Sequence, residues 1–172
     1  MENPNPSSDY SWRTWNPGRL LSNALRRFED RVLVLIGEAG YSTTRRTHVN
    51  LTRHLDLDGT RITELARRAA MTNAAMTELI DQCAGLGLVE RVADPVDKRA
   101  RIVRFTPEGR RWLAAFGEAV AKAQAEMAID VGAEAMDLTM ASLWRYARAE
   151  GREVTDLDPS TGSTVRAARF PA

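Results

Sequence analysis

The sequence predicts a mainly α-helical protein that carries one small β-hairpin. Over most of the 172 residues, apolar side chains recur every three or four positions, which is the period of an amphipathic helix. Residues 88–105 depart from that period, because two short runs rich in Val and Ile flank a stretch that contains Pro and several charges. Such a pattern indicates two strands and their connecting loop.

The N-terminal part of the chain predicts an arm and two helices. Residues 1–17 contain three Pro, three Asn and three Ser, and we expect them to form an extended arm. The first helix is predicted from about residue 18 to residue 39, where Gly40 ends it. A connecting helix follows over about residues 43–54. The apolar stripe of the first helix consists of Leu21, Leu25, Phe28, Val32 and Leu35.

The next segment predicts two helices that are separated by a tight turn. After a turn at Asp58-Gly59 and a short strand at Arg61-Ile62, Thr63 is expected to cap a helix over residues 64–70. A longer helix is predicted over residues 73–85, with Met76, Leu79, Ile80 and Cys83 on its apolar face. A connection of about three residues forces two such helices to cross steeply, as in a helix-turn-helix.

The hairpin and two more helices complete the predicted order. Strands are expected at residues 88–93 and 100–105. Thr106-Pro107 favours a helix start, because the hydroxyl can cap the helix and proline fits its first position. That helix is expected to end near Gly132, and a last helix follows. Residues 151–172 are polar and lack periodicity, which predicts a loosely ordered tail.

The order helix, turn, helix, hairpin over residues 59–109 predicts a winged helix-turn-helix, with the hairpin as its wing. In this fold the second helix enters the major groove of DNA. The charge distribution is compatible with such a face, since residues 59–111 carry a net charge of +3 and residues 112–158 carry −5, within a total of only +1. Ordinary surface variation explains this segregation equally well, so charge alone does not decide between the two.

Composition and motifs argue against several other classes of protein. A single cysteine, Cys83, permits no intramolecular disulfide and fits the cytoplasm. No apolar run approaches the roughly 20 residues that a membrane-spanning helix needs, and the N-terminus lacks a secretory signal. His48 and His54 lie six positions apart, which does not suit metal ligands on one helical face. With no nucleotide-binding or hydrolase motif, we expect no enzyme activity, no metal and no cofactor.

The run LARRAAMTNAAMTELIDQCAGLGLVERVADPVDKRARIVRFTPEG resembles the MarR family of bacterial transcriptional regulators. The marks that carry the resemblance are Leu65-Ala66, Thr77, Asp81, Gly87–Arg91, Asp94, Asp97, Lys98, Arg99, Thr106 and Gly109. The resemblance implies a winged helix-turn-helix flanked by N- and C-terminal dimerisation helices. It also implies a cytoplasmic, sequence-specific DNA-binding protein that acts as a repressor.

The second helix of the motif, over residues 73–85, is the predicted recognition helix, and it contains no Lys or Arg. Two groups of residues are therefore expected to contact DNA. Bases are expected to be read by Thr72, Asn73, Ala74 and Thr77. Phosphates are expected to be held by Arg61, Arg67, Arg68, Lys98, Arg99 and Arg101. The resemblance places Arg99 in the minor groove, with Asp97 orienting its guanidinium. A winged-helix module that binds a protein partner without DNA is the alternative, and the basic wing tip favours DNA.

The outer helices, within residues 18–58 and 110–150, each carry an apolar stripe longer than one small winged domain can cover. In the MarR family these helices intertwine between two subunits. The resemblance therefore implies a homodimer on a pseudo-palindromic operator in double-stranded DNA. A monomer that packs its own outer helices together is the alternative.

The resemblance also implies a small aromatic anion as an effector, bound between the dimerisation helices and the winged domain and releasing the repressor from DNA. Such a pocket needs apolar walls and one or two cations. The candidate ligand-binding residues are Trp12, Trp15, Tyr41, Arg45, His48 and Trp112, each of which is also compatible with ordinary packing or surface exposure.

Overall fold

The computed structural model describes residues 10–94, 97 and 100–148. The predicted fold class is confirmed, because helices dominate these residues and the hairpin belongs to one small antiparallel sheet. The helices are α1 (Pro17–Ile36), α2 (Arg46–Arg53), α3 (Ile62–Arg68), α4 (Asn73–Gly85), α5 (Pro107–Val131) and α6 (Ala133–Arg148). The strands are β1 (Thr60–Arg61), β2 (Val89–Ala93) and β3 (Arg101–Phe105). No helix in this part of the chain is both long and apolar enough to cross a membrane.

The ends of α1 and α2 follow from their caps. The side chain of Asn16 accepts a hydrogen bond from the backbone N–H of Arg19 at 2.9 Å, which fixes the start of α1. The regular helix ends at Ile36, earlier than predicted. One wider helical turn follows over Gly37–Tyr41, and within it Gly40 adopts a φ of +99°, which turns the chain away. The start of α2 lies later than predicted, since the Nδ1 atom of His48 accepts a hydrogen bond from the N–H of Arg45 at 3.2 Å.

The helix-turn-helix consists of α3 and α4. The prediction that Thr63 caps α3 is wrong: β1 leads directly into the helix, Arg61 is the residue before it, and Thr63 lies in its first turn. The connecting turn places Ala70 at a φ of +51°. The bounds of α4 are those predicted, because the Thr72 hydroxyl accepts a hydrogen bond from the N–H of Ala75 at 3.2 Å and Gly87 turns the chain away with a φ of +73°.

The wing, the hairpin of β2 and β3, belongs to a three-stranded antiparallel sheet in the order β1-β3-β2. Val89 pairs with Phe105 at one end of the β2–β3 ladder, and Ala93 pairs with Arg101 at the other. The short strand that the sequence predicts at 61–62 lies one residue earlier, where Thr60 pairs with Val103. Because β1 pairs with β3 and leads directly into α3, it connects the wing to the helix-turn-helix.

A single hydrophobic cluster holds these elements together. Its fully buried members come from α2, α3, α4, β3 and α5 and include Leu51, Leu65, Met76, Ile80, Cys83, Val103 and Trp112. The start of α5 approaches the backbone before β2 closely, because a Cβ atom at Gly109 would lie 1.8 Å from the carbonyl oxygen of Leu88. Glycine is therefore required where the start of α5 meets this backbone.

A second cluster joins α1 to α5 along antiparallel stretches. Val32, Leu35 and Ile36 pack against Ala119 and Ala123. Arg31 pairs with Glu126 through an Nε–Oε2 distance of 2.6 Å, and one turn further out Arg27 pairs with Asp130. The chain divides into two compact units, residues 1–130 and 131–172. Within the second unit, α6 follows Gly132, which adopts a φ of +91°.

Candidate nucleic-acid interface

One face of α4 is packed and the opposite face is open. Met76, Leu79, Ile80 and Cys83 point into the core. The open face lacks any basic residue, as the sequence indicates, and it consists of Asn73, Ala74, Thr77, Glu78, Asp81 and Gln82, all exposed. All four residues expected to read bases, the cap Thr72 included, are therefore accessible. The Thr72 oxygen already accepts the capping bond, which leaves its hydroxyl proton for another acceptor.

Arg91 of β2 binds to the open side of α4, a contact that sequence reasoning missed. One guanidinium nitrogen donates to the backbone carbonyl oxygen of Thr77 at 3.1 Å, and the other pairs with the carboxylate of Asp81. The only sequence signal was two opposite charges on either side of the α4–β2 turn. The contact fixes the angle between the recognition helix and the wing.

Arg61 joins β1 to the base of the wing through Asp94. The Arg61 Nε donates to a carboxylate oxygen of Asp94 at 2.7 Å, and the Asp94 side chain is only 7% exposed. The other oxygen of Asp94 accepts a hydrogen bond from the N–H of Asp97 at 3.2 Å. About half of the Arg61 side chain is still exposed, so its guanidinium can reach a phosphate while it remains paired.

The predicted contact between Asp97 and Arg99 stays a prediction. Asp97 is exposed and follows the buried Asp94 at the end of β2. Lys98 and Arg99 lie outside the described residues. Arg101, the remaining basic residue of the predicted wing contacts, begins β3 and is exposed.

Arg67 and Arg68 of α3 share one carboxylate but differ in exposure. Both donate to Glu64, with Nε–O distances of 2.8 and 2.9 Å. These hydrogen bonds, the one from Arg67 first, lower the pKa of Glu64 to about 2. Arg67 remains largely exposed, whereas only 15% of the Arg68 side chain is exposed. Arg68 also donates to the carbonyl oxygen of His54 at 3.0 Å and to Asp56 at 2.9 Å, so it ties α3 to the loop after α2.

The six residues predicted to bind a ligand lie in different surroundings. Trp12 and Trp15 are exposed, and the exposed Arg45 precedes α2. Trp112 is fully buried, where it donates to the Thr44 hydroxyl at 3.0 Å and stacks on Phe116.

His48 and Tyr41 have structural partners. His48 is buried and its Nδ1 caps α2, and burial, followed by the charge of Arg45, lowers its pKa. Partial burial and a hydrogen bond to Glu108 raise the pKa of Tyr41. Neither residue is placed with the two exposed tryptophans in one pocket.

A cavity of about 240 Å³ offers a different set of ligand-binding residues. Its walls are mostly apolar, and its charged lining consists of Glu29, Arg46 and Arg53. It is lined by Leu25, Phe28, Glu29, Val32, Leu33, Arg46, Val49, Thr52, Arg53, Leu113, Phe116 and Val120 from α1, α2 and α5. None of the six predicted residues is among them. The signal available in the sequence was a pair of arginines seven positions apart, Arg46 and Arg53, on one face of α2.

The described residues contain no group of His, Cys, Asp and Glu side chains that could hold a metal ion. Cys83 is buried as predicted, and burial raises the pKa of its thiol to about 12. A thiol in this state is a poor nucleophile at neutral pH.

The geometry defines a winged helix-turn-helix protein, and comparison with known proteins relates part of the chain to one family. Residues 45–100 match the model of the MarR family. Over 60 residues the chain is 40% identical to the transcriptional regulator HosA of Escherichia coli O111:H-, a match that covers 35% of this chain and 44% of HosA. The chain thus spans less than half of that relative. Residues 45–100 are thus identified as a MarR-family domain.

Solved structures with the same fold extend the likeness to most of the chain. The repressor CouR bound to a 23-mer DNA duplex aligns with a TM-score of 0.62 at 24% identity, covering 83% of this chain and 99% of CouR. CouR from Rhodococcus jostii RHA1 bound to p-coumaroyl-CoA aligns with a TM-score of 0.59 at 22% identity, covering 79% and 94%.

Proposed function

We propose that this protein is a sequence-specific transcriptional regulator that binds double-stranded DNA with α4 in the major groove and the wing beside it. The observation that carries the proposal is the open face of α4. Its first two turns present Asn73, Ala74 and Thr77 to solvent, while the opposite face and Arg91 hold the helix rigidly. A rigid helix with small polar and methyl-bearing side chains suits the readout of base edges. CouR, which shares this fold, is a repressor that has been solved on DNA.

Arginines of α3 and of the small sheet are proposed to bind DNA phosphates. Arg61, Arg67 and Arg101 remain exposed and can each hold one phosphate. Arg68 contributes mainly by positioning α3, because its guanidinium is largely covered by its partners. Lys98 and Arg99 keep their predicted roles at the wing tip. A protein-binding wing would expose apolar residues, whereas the two exposed residues of β3 are Arg101 and Arg104.

We propose a homodimer as the form that binds DNA. The N-terminal half of α1 exposes Leu20, Leu21 and Leu25, each at least 42% exposed. In the second unit, α6 exposes Leu138, Met140, Leu143 and Tyr146. A second copy would cover such stripes and present two recognition helices to half-sites about one DNA turn apart, which requires a pseudo-palindromic operator. Sedimentation should give twice the 19.1-kDa chain mass, and Leu25→Glu should shift it toward the monomer.

A small aromatic anion is the proposed effector, and the cavity between α1, α2 and α5 is its proposed site. The apolar lining suits a ring, while Arg46 and Arg53 provide two cations beside it. Both arginines are paired with Glu29 across the gap between α2 and α1, so an anionic ligand would compete with that carboxylate. The structure of CouR with p-coumaroyl-CoA shows an aromatic acyl ligand on a protein of this fold. Binding is proposed to release a repressor from DNA in the cytoplasm.

Gel shifts with the intergenic DNA next to the protein's own gene test the proposal. Specific binding should weaken by about a thousandfold or more between about 50 and about 200 mM salt, since a dimer neutralises several phosphates. Ala74→Asp places a charge on the open face and should abolish the shift. Ala114→Asp adds the same charge to an exposed position of α5 and should leave it intact. A folded dimer that shifts no DNA at low salt would overturn the proposal.

A further inference from the structure

Glu78 occupies the outermost row of the recognition helix. Ala74, Glu78 and Asp81 are spaced by four and three positions, so they form one stripe along α4. The buried residues of the helix, Met76, Leu79, Ile80 and Cys83, lie on the other side. A helix that enters the major groove with this orientation carries Glu78 toward the base edges.

The two acidic residues of this stripe differ in their partners. Asp81 is paired with Arg91, so its charge is largely compensated within the protein. Glu78 is exposed, and no cation among the described residues forms an ion pair with it. An unpaired carboxylate that approaches a polyanion loses water and gains repulsion, which weakens binding unless DNA supplies a hydrogen-bond donor.

The major groove supplies few such donors. Guanine presents two acceptors, and thymine presents an acceptor and a methyl group. Adenine has a donor at N6, but the neighbouring N7 is an acceptor and repels a carboxylate. Cytosine presents its N4 amino group without an adjacent acceptor on the same base, and Glu is a recognised partner for it.

We propose that Glu78 is a specificity-determining residue that selects a cytosine in each operator half-site by accepting a hydrogen bond from its N4 amino group. This inference rests on the proposed DNA-binding function. Glu78 does not add to general affinity; it penalises sites that place any other base opposite it. The recognition helix thereby gains discrimination without a basic side chain.

Selection from a library of randomised 30-bp duplexes, repeated with wild-type protein and with Glu78→Gln, tests the inference. Wild-type protein should enrich one invariant cytosine per half-site. Replacing that cytosine by another base should weaken binding of the wild-type protein by about tenfold. Glu78→Gln should lose that cytosine and favour adenine there, because an amide both donates and accepts. Glu118→Gln removes a charge from an exposed position of α5 and should select the wild-type sequence.

The outcomes separate the inference from the function on which it rests. No enrichment by folded wild-type protein would overturn both. Enrichment of the same sequence by wild-type protein and by Glu78→Gln, with equal discrimination at every position, would overturn the role of Glu78 alone. Retained cytosine selection in Glu118→Gln together with its loss in Glu78→Gln would support it.

Discussion

Arg91 in β2 donates a hydrogen bond to the backbone carbonyl of Thr77 in the middle of α4, at 3.1 Å. That carbonyl already belongs to a helix, so the guanidinium uses its second lone pair and does not break the helix. Because the same guanidinium also pairs with Asp81, two points of α4 are tied to one strand of the wing. These contacts therefore hold the helix and the wing in one fixed arrangement.

Replacing Arg91 by alanine should weaken DNA binding at least as much as it weakens the fold. The pair with the exposed Asp81 contributes at most about 1 kcal/mol to the free energy of unfolding. The loss of a fixed helix angle should lower operator affinity by roughly tenfold, as expected for a displaced recognition element. Urea denaturation and gel shifts measure the two quantities.

A matched control for Arg91→Ala is Arg104→Ala, which removes an arginine that pairs with Glu90 within the same sheet but does not contact α4. It should leave operator affinity within about a factor of three. Equal losses of affinity in both variants would contradict a positioning role for Arg91, because they would reflect only the loss of positive charge.

The ends of a helix could be predicted from the sequence where neighbouring residues in the chain determine them. The bounds of α4 follow from the cap at Thr72 and the turn at Gly87, both visible in the sequence. The start of α3 could not be read in the same way, because pairing of Thr60 with Val103 places β1 immediately before the helix. A contact between residues that far apart in the chain leaves no local pattern.

The candidate site was predictable in its residue types but not in its pairing. Exposed polar residues on α4 follow from helical periodicity. Periodicity does not predict which arginines pair with carboxylates of the protein. Arg61, for example, pairs with Asp94, which lies 33 positions away in the chain. Trp112 looked like a pocket wall, yet the core of the winged domain takes up its whole surface, and the cavity is lined by residues whose spacing indicated only ordinary packing.

Acid should weaken the fold through Glu64. The hydrogen bonds from Arg67 and then Arg68 lower its pKa from 4.5 to about 2 in the folded protein. A lowered carboxyl pKa stabilises the fold above the unfolded value, and this contribution is lost as the pH falls from about 4.5 toward 2. Glu64→Gln lacks this contribution, so its free energy of unfolding should fall less than that of wild type between these two pH values.

The control for this pH dependence is Glu118→Gln, which removes an exposed carboxylate of α5. Its profile should follow that of wild type. Parallel profiles for wild type and Glu64→Gln would show that the cluster of Glu64 with its two arginines does not contribute to acid sensitivity. Urea denaturation at each pH, at one protein concentration, gives the comparison.

Cys83 should be inert in the native protein. Its side chain is fully buried in the core, and burial raises its pKa to about 12. A thiol-reactive dye at pH 8 should therefore label Cys83 only when the protein unfolds. Labelling should be slow in the native protein, and fast and complete at urea concentrations above the unfolding midpoint. Rapid labelling of native protein at a rate that does not change with urea would contradict this burial and reopen a redox role.

Gly109→Ala should destabilise the protein more than any other Gly→Ala change in α5. Its Cβ atom would lie 1.8 Å from the carbonyl oxygen of Leu88 and 2.8 Å from the carbonyl carbon, and that carbonyl, just before β2, accepts a hydrogen bond from the N–H of Thr106 at 3.1 Å. Helix and strand would have to separate, at a cost of about 3 kcal/mol in the free energy of unfolding. Gly117→Ala is the matched control in the same helix, because nothing lies within 4 Å of its Cβ position. That variant should gain up to about 1 kcal/mol from helix propensity. Urea denaturation at one fixed protein concentration should thus move the two midpoints in opposite directions, and a shared direction would refute the close approach at Gly109.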